Sequence, residues 1–413
     1  MTKKALLLPF HPTILTCVLI FALPAIASAA GYSQQDQTFT GAIPHTKTFP
    51  GIFPAPYPYA NAEDVGLDTE TLQALSDTTL KWISEDQIVG AELLVIKDGH
   101  IILHEAMGWS DREANIPLSR NTIYRLRSMT KPFTGAAALL LIQDGQLSLI
   151  SKAAAFLPAW KNKKSAQITI KQLLTHTSGF EQGGTPKPAS QYPDLASVTR
   201  ESGRLGPQHT PGDKFIYSDI NSFALGSIVA KRAGKSLEAY IQQHLLDPLQ
   251  LQDTYIGYTK GAAWASRVNP TYEKNEDGEW VQYWTPEEAQ VFPYFRASGG
   301  ILSTAFDYAR WLDIWANNTV LLPATNLAEG RLLSEDLVRE ALKSHGRDAY
   351  ADYGFHWEIY QTHPLIFGHA GSDGTLAVAI PSEQILLLYF TQSRRNGTTQ
   401  KWLRLAQKAM GID

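Results

Sequence analysis

The sequence contains a single cysteine, Cys17, which lies within an apolar run near the N-terminus. One cysteine forms no intramolecular disulfide, and this one lies outside the part of the chain that is expected to fold. Lipid modification of Cys17 is an alternative, although no small residues precede it within the run. Covalent catalysis in the folded protein would therefore need another nucleophile.

The sequence also lacks an excess of positive charge and the usual metal-binding motifs. It has 36 Lys and Arg residues against 40 Asp and Glu residues, which gives a net charge of -4. A nucleic-acid partner calls for a basic face, so we expect none. The 11 histidines form neither a His-Glu-x-x-His motif nor a Cys/His cluster, which argues against a metal site.

Long apolar runs are scarce, and only the N-terminus has one. Lys3 and Lys4 precede an apolar run at residues 14–26, and Ala27-Ser28-Ala29-Ala30 follows it. This order is typical of a secretory signal peptide, here residues 1–29, and predicts a periplasmic or secreted protein. An uncleaved anchor is the alternative, but the run is short for a bilayer span. No later run is long enough to cross a membrane, so we expect no stable span after cleavage.

The remaining chain divides into an arm and a larger domain. Residues 30–65 are rich in Pro, Tyr and Phe and show no periodicity, which predicts an extended arm lying on a folded domain of residues 66–413. Asp68 and the apolar stripe after it predict a capped helix over residues 69–83. Two apolar runs joined by an Asp-Gly turn predict a β-hairpin over residues 89–106.

The rest of the domain contains a block of helices followed by strands. Residues 133–142 are almost wholly apolar, which predicts a buried central helix. Residues 150–295 are expected to form a mostly helical inserted subdomain. Residues 365–391 contain three strand patterns separated by Gly, Pro and Ser. Strands at both ends with helices between them predict an α+β fold, in which helices flank an antiparallel sheet.

Ser128-Met129-Thr130-Lys131 opens the predicted central helix. Its spacing places the hydroxyl of Ser128 and the amine of Lys131 on one helical face. A lysine whose charge is suppressed by burial can take the serine proton and so activate a poor nucleophile. The helix N-terminus would stabilise a developing oxyanion. Alone, Ser-x-x-Lys is a weak signal.

Tyr217-Ser218-Asp219 precedes another apolar helical stretch. A phenol beside a lysine ammonium loses its proton more readily than a free phenol, so Tyr217 is a candidate base. A tyrosine that only packs on the core is the alternative.

Gly368-His369-Ala370-Gly371-Ser372 lies in a predicted C-terminal strand. Glycine there allows a substrate to approach the strand closely, and the N–H of Ser372 is a candidate second oxyanion donor beside that of Ser128. His369 either orients a leaving group or substrate carboxylate, or is a strand-end histidine bonded to solvent.

Together these motifs resemble the serine beta-lactamase and penicillin-binding protein superfamily, in the branch of class C beta-lactamases, D-alanyl-D-alanine carboxypeptidases and related esterases. Two framework stretches, residues 173–179 and 297–304, are also similar to this branch. The resemblance covers nearly the whole mature chain, and it implies a beta-lactamase/transpeptidase-like fold with neither metal nor cofactor. It implies an acylated Ser128, proton transfer by Lys131 and Tyr217, an oxyanion hole of the Ser128 and Ser372 amides, and substrate binding at Asp219, His369 and Gly371.

Two positions depart from the family pattern. Asp219 replaces an asparagine, and a carboxylate does not donate a hydrogen bond to an amide carbonyl unless it is protonated. His369 replaces the lysine that attracts a substrate carboxylate in beta-lactamases, and a neutral histidine attracts it less. We therefore expect a serine carboxylesterase that forms an acyl-enzyme with a small ester lacking a carboxylate.

The alternatives are a D,D-carboxypeptidase or D-amino-acid peptidase acting on peptides, a beta-lactamase, and a non-catalytic wall-binding homologue. The complete set of Ser128, Lys131 and Tyr217 argues against the last. Six aromatic residues between positions 280 and 295 either line a pocket for the acyl or alcohol group or form core. These are Trp280, Tyr283, Trp284, Phe292, Tyr294 and Phe295.

Overall fold

The structure, a computed structural model, describes residues 43–46, 57–185, 187–288, 290–317, 331–347 and 352–412. The predicted signal peptide lies outside the described residues, and of the predicted arm only residues 43–46 and 57–65 are described. All described residues belong to one compact unit.

An antiparallel sheet of 10 strands forms the centre of the described fold, in the order β1-β3-β2-β15-β14-β13-β12-β11-β10, with β4 paired to β3. Its N-terminal strands are β1 His45–Thr46, β2 Gly90–Lys97, β3 His100–Asp111 and β4 Ile116–Pro117. Its C-terminal strands are β10 Gly346–Arg347, β11 Asp352–Tyr353, β12 Glu358–Thr362, β13 Leu365–Ala370, β14 Leu376–Ile380 and β15 Ile385–Thr391. The first and last parts of the chain thus meet where β2 pairs with β15.

Two smaller sheets lie between these parts in the sequence. One has the order β5-β9-β6, from Tyr124–Arg125, Ile301–Ser303 and Thr254–Ile256. The other is a hairpin of β7 Thr271–Lys274 and β8 Trp280–Trp284.

The α-helices of the described residues cover both faces of the large sheet and fill the inserted region. They are α1 Thr69–Ser84, α2 Lys131–Gln143, α3 Ile170–Leu174, α4 Leu195–Leu205, α5 Asp219–Ala233, α6 Leu237–Ile241, α7 Ala305–Asn317, α8 Glu335–Ala341 and α9 Thr399–Ala409. Within the described ranges, no helix combines the length and the apolar character that crossing a bilayer requires.

Strand β15 shows why the sheet is covered on both sides. Leu386, Leu388 and Phe390 belong to a core cluster that includes residues of α2 and α7. Leu387 and Tyr389 belong to a second cluster, with residues of α1 and α9. Successive side chains of a strand point to opposite faces, so an unbroken apolar run such as this one has to be buried on both.

Several sequence predictions are confirmed. The α+β fold with helices flanking an antiparallel sheet is present. Helix α1 begins after Asp68, whose carboxylate accepts hydrogen bonds from the next turn, and β2 and β3 form the predicted hairpin. Helix α2 is buried almost all round, as its apolar composition required.

The helical subdomain ends earlier than predicted. Helical structure continues to Leu246, but strands β6, β7 and β8 follow before residue 295. In β8 the alternation that marks a half-buried strand is clear, because Trp280 and Trp284 are buried whereas Val281 and Tyr283 are exposed. This two-residue period within a mainly helical region was missed.

The described parts of the predicted arm run along β3. Strand β1 pairs with β3, and Tyr59 forms a bridge to Ile101. Tyr57 is buried, and its hydroxyl donates a hydrogen bond of 2.8 Å to Asp313 of α7. The aromatic side chain therefore fastens this segment to the helix that covers the sheet.

Candidate active site

Ser128 lies in a short 3-10 turn, Arg127–Thr130, that leads directly into α2. Arg127 has a φ of 50°, a left-handed conformation that non-glycine residues rarely adopt. Pro132 stands at the start of α2, where proline is tolerated because its missing N–H is not needed. The turn holds Ser128 partly exposed beside the fully buried Lys131.

The amine of Lys131 makes three hydrogen bonds. Its Nζ lies 3.2 Å from Ser128 Oγ, 2.8 Å from Asp219 Oδ1 and 3.2 Å from the carbonyl oxygen of Ser298. The three N–H groups of an ammonium match these three acceptors. The geometry therefore favours a charged Lys131 that donates a hydrogen bond to the nucleophile.

Asp219 explains why this buried amine keeps its charge. Burial disfavours the ammonium, but Asp219 and Tyr217 together outweigh burial and raise the pKa of Lys131 above its usual value. Arg296 Nη2 lies 2.5 Å from the other oxygen of Asp219. Burial alone would raise the pKa of Asp219, but Lys131 and Arg296 together hold it well below its usual value. The predicted suppression of the Lys131 charge is therefore wrong.

Tyr217 lies immediately before α5 and packs against the same amine. Lys131 Nζ is 4.6 Å from the centre of its ring. Burial raises the pKa of Tyr217 above its usual value, and the Lys131 charge offsets only part of this rise. Tyr217 thus contacts the amine of Lys131, and its role as the base stays a prediction.

His176, which the sequence analysis treated only as part of a framework stretch, supports Tyr217. The two rings are stacked, with centres 4.7 Å apart and planes 6° apart. His176 Nδ1 accepts the backbone N–H of Ser218 at 2.9 Å, so the ring carries its proton on Nε2. Burial lowers the pKa of His176 well below its usual value, which keeps the ring neutral. In the sequence, the only indication of this role was that His176 lies in the framework stretch of residues 173–179.

Ser372 lies in the turn between β13 and β14, and it is exposed. Its neighbour Asp373 is buried and forms an ion pair with Arg127, with Arg127 Nε 2.5 Å from Asp373 Oδ2. Arg394 Nε lies 3.2 Å from the second oxygen of Asp373. Since Arg127 precedes Ser128 and Asp373 follows Ser372, this ion pair ties together the two segments that carry the predicted oxyanion donors.

Gly371 is needed for chain packing. A Cβ at this position would lie 2.5 Å from the carbonyl oxygen of Leu126 and 2.3 Å from Thr375 Oγ1. The absence of a side chain lets the β13–β14 turn approach the segment before Ser128. The predicted reason, close approach of a substrate, is not what the contacts of Gly371 show.

His369 is fully buried, so the solvent-bonded alternative is wrong. Its Nε2 lies 3.0 Å from the hydroxyl of Tyr353, and its Nδ1 lies 2.8 Å from the carbonyl oxygen of Ala370. Burial lowers the pKa of His369 to about 3. A neutral ring whose nitrogens contact Tyr353 and a backbone carbonyl carries no charge that would attract a substrate carboxylate.

Asp219 was also predicted to bind substrate, but its two oxygens contact Lys131 and Arg296. A carboxylate held by two cations serves to position Lys131. Arg296 itself was missed by the sequence analysis, because nothing in the sequence indicated that it contacts Asp219, 77 residues away.

The six aromatic residues divide between core and pocket. Trp280 packs with Val89, Trp109 and Tyr272 in a small separate cluster, and Tyr283 is exposed. The other four, Trp284, Phe292, Tyr294 and Phe295, line a pocket beside Arg296 and Gly299. Trp284 and Phe295 also belong to core clusters, so lining the pocket and packing in the core overlap, and binding of an acyl or alcohol group there stays a prediction.

The described residues contain no group of three or more His, Cys, Asp or Glu side chains arranged to hold a metal ion. The chemistry available in this cleft is that of a serine hydroxyl, a lysine ammonium and a phenol.

Comparison with known proteins gives relatives with the same fold. Protein flp of Staphylococcus aureus strain MW2 is 35% identical over 192 residues, 45% of this chain and 39% of that protein. The chain thus matches less than half the length of this relative. The octameric penicillin-binding protein homologue from Pyrococcus abyssi superposes with a TM-score of 0.71 at 23% identity, covering 83% of this chain and 78% of the homologue.

Two further solved structures superpose well. The D-amino acid amidase from Ochrobactrum anthropi SV3 has a TM-score of 0.69 at 20% identity and covers 83% of this chain and 99% of its own. EstCE1, described as a hydrolase with promiscuous acyltransferase activity, superposes with a TM-score of 0.68 at 21% identity. The match covers 82% of this chain and 98% of EstCE1. The family model named Beta-lactamase matches residues 69–410. The chain therefore belongs to the beta-lactamase family, as its motifs predicted.

Proposed function

We propose that this protein is an exported serine hydrolase that cleaves carboxylic esters through an acyl-enzyme on Ser128. The contact between Lys131 Nζ and Ser128 Oγ, at 3.2 Å, carries the proposal. An ammonium donates this hydrogen bond, so the hydroxyl proton of Ser128 points to another acceptor. Tyr217, whose ring lies against the same ammonium, is the base that receives it.

The reaction then proceeds in two halves. Tyr217 takes the Ser128 proton as Oγ attacks the ester carbonyl, and the amides of Ser128 and Ser372 stabilise the oxyanion. Tyr217 returns the proton to the departing alcohol, which leaves an ester on Ser128. Water enters, gives a proton to Tyr217 and attacks the acyl carbonyl. The bond between the acyl carbon and Ser128 Oγ then breaks, Tyr217 returns the proton to Oγ, and the acid is released. Lys131 stays charged throughout and stabilises the phenolate.

Two features support an ester substrate over a peptide or a beta-lactam. Asp219 is an ionised carboxylate, so it donates no hydrogen bond to the carbonyl of a substrate amide. His369 is neutral and buried, so this strand offers no cation for a beta-lactam carboxylate. The likeness to EstCE1 agrees with this proposal.

A labelling experiment tests the nucleophile. The purified protein is treated with a fluorophosphonate probe and digested, and the modified peptide is identified by mass spectrometry. We expect the label on Ser128 and none in a folded Ser128→Ala variant. A label on another residue, or none in folded wild-type protein, would refute the proposal.

A substrate panel tests the ester assignment. A p-nitrophenyl ester, nitrocefin and a D-Ala-D-Ala peptide are assayed in parallel, and we expect the highest kcat/KM for the ester. The second candidate, a D-amino-acid peptidase, is supported by the likeness to the D-amino acid amidase. Faster turnover of the D-peptide would favour that candidate instead.

Export rests on the predicted signal peptide. We expect protein recovered from the periplasm or medium to begin at Ala30 or Gly31 when its N-terminus is sequenced. Recovery of the intact chain from the cytoplasm alone would argue against export.

A further inference from the structure

A small pocket opens beside the catalytic residues. Its walls include Gly299 and Gly300, which directly follow Ser298, the residue whose carbonyl accepts a hydrogen bond from Lys131. Arg296, which contacts Asp219, also lines it. The pocket has a volume of about 50 Å³, which accommodates a few water-sized groups. The pocket therefore adjoins the segments that contact Lys131 and Asp219.

Three arginines line this pocket, namely Arg125, Arg127 and Arg296. Two of them have carboxylate partners, because Arg127 pairs with Asp373 and Arg296 pairs with Asp219. These two carboxylates are also shared with Lys131 and Arg394. The carboxylates near the pocket are therefore already engaged by other cations.

Arg125 differs from the other two. Its guanidinium makes no hydrogen bond or ion pair with any described residue, and its buried Nη1 has no partner. It lies over the ring of Trp284, with the guanidinium carbon 4.0 Å from the ring centre. Burial and the charges of the neighbouring arginines lower the pKa of Arg125 to about 9, so it remains charged near neutral pH.

A buried cation without a partner is costly, and proteins normally pair it or hydrogen-bond it. The face of Trp284 provides one favourable contact but no acceptor for the N–H groups. The N–H groups of a guanidinium are arranged in a planar fork that matches the two oxygens of a carboxylate. The guanidinium of Arg125 thus has the shape and charge that complement a carboxylate.

We propose that Arg125 binds a carboxylate on the substrate, so that the preferred substrate is an ester whose acyl or alcohol part carries a negative charge. The aromatic residues Trp284, Phe292 and Phe295 bury the apolar part that joins this carboxylate to the ester. This inference rests on the proposed esterase function. It revises the expectation of an uncharged ester, which considered only the strand of His369.

Two matched pairs of esters test the proposal. For the acyl side, the mono-p-nitrophenyl ester of glutaric acid is compared with p-nitrophenyl valerate, which has the same chain length without the carboxylate. For the alcohol side, para-acetoxybenzoate is compared with para-acetoxytoluene. In at least one pair we expect kcat/KM of wild-type protein to favour the anionic ester by about tenfold or more, the usual strength of a charge-assisted hydrogen bond.

Variants identify the residue responsible. Arg125→Gln should reduce the ratio of anionic to neutral kcat/KM by about tenfold to a hundredfold. Arg204→Gln, which removes an exposed arginine of α4 paired with Glu201, should leave the ratio unchanged. If Arg125→Gln does not fold, Arg125→Lys provides the comparison, and its ratio should fall severalfold because an ammonium lacks the planar fork.

The outcomes separate this proposal from the one it rests on. If no ester is hydrolysed, the esterase function is wrong. If the esters are hydrolysed without preference for the anion in either pair, or with a preference that Arg125 variants retain, the esterase function stands and the carboxylate site is refuted.

Discussion

Lys131, which is fully buried, and Arg125, which is partly buried, are cations within a few residues of Ser128, but they have opposite surroundings. Lys131 donates to three acceptors, and one of them is an ionised carboxylate that raises its pKa. Arg125 has an aromatic ring beside it and no acceptor among the described residues, and its pKa is lowered to about 9.

The difference distinguishes two uses of charge in one cleft. A cation whose carboxylate partner belongs to the protein is fixed in place, because that carboxylate balances its charge without any bound ligand. A cation without a partner keeps its attraction for an anion from outside. The first arrangement suits a group that must keep one position through a reaction, whereas the second suits a group that binds.

Removing Lys131 should have the largest effect. We expect Lys131→Met to reduce kcat on esters by about 10²- to 10⁴-fold, the usual contribution of proton-transfer groups. It should also lower the free energy of unfolding by about 3 kcal/mol, because the buried Asp219 keeps only Arg296 as a partner. Steady-state kinetics and urea unfolding measure the two effects.

The matched control is Lys260→Met, which removes an exposed lysine paired with Glu287 and should change neither quantity. Adding Asp219→Asn to Lys131→Met should restore part of the stability but not the activity. Wild-type activity in Lys131→Met would contradict the role given to this amine.

The ion pair between Arg127 and Asp373 should affect catalysis next most strongly. Asp373→Asn removes the charge that ties the Ser372 turn to the Ser128 turn. Since small displacements of oxyanion donors reduce transition-state stabilisation, we expect kcat to fall by about tenfold to a hundredfold with a smaller change in KM.

Asp277→Asn, at an exposed position between β7 and β8, is the control for that substitution. If Asp373→Asn lowered the melting temperature and left kcat intact, Asp373 would serve stability alone.

The pairing of Lys131 with Asp219 also predicts that the stability of the folded protein depends on pH. The pKa of Asp219 is lower in the folded state, so its stabilising contribution is complete above its unfolded pKa of about 4 and is lost as pH falls towards the folded value. Asp219→Asn should therefore be less stable than wild type at neutral pH, by about 1 to 3 kcal/mol. Urea unfolding near pH 3 should show a smaller difference, and an equal difference at both pH values would contradict this origin.

The smallest expected effect is an increase in stability, whereas the substitutions above are expected to lower stability or activity. The lowered pKa of Arg125 means that folding disfavours its charged form below pH 9, so replacing it removes a penalty. We expect Arg125→Met to raise the free energy of unfolding by roughly 1 kcal/mol, after the loss of the Trp284 contact. A loss of stability as large as that of Lys131→Met would show that the two cations do not differ as described.

Much of the fold was predictable because its signals are local. The cap at Asp68, the turn at Asp98-Gly99 and the apolar residues of α2 each act within a few positions of the chain. The hairpin of β7 and β8 was missed because its alternating residues lie within a region of helices. Its exposed side chains are Val281 and Tyr283 instead of charged or strongly polar residues, so the sequence does not show the apolar–polar alternation of a half-buried strand.

The active site was predictable in its residues but not in their charge states. The motifs indicated Ser128, Lys131 and Tyr217 together. Whether Lys131 is neutral or charged depends on the carboxylate that faces it. In the folded chain that carboxylate is Asp219, 88 residues further along.

The sequence by itself determined the family and the α+β fold and indicated Ser128 as the candidate nucleophile, because these follow from short motifs and from apolar periodicity. Only the tertiary structure decided how the charges are paired. Folding brings Asp219 to Lys131 and Arg296, brings Asp373 to Arg127, and leaves Arg125 beside Trp284 with no ion pair to a carboxylate in the described part of the chain. Electrostatic energies depend on distance and burial, and neither quantity is contained in the order of residues along the chain.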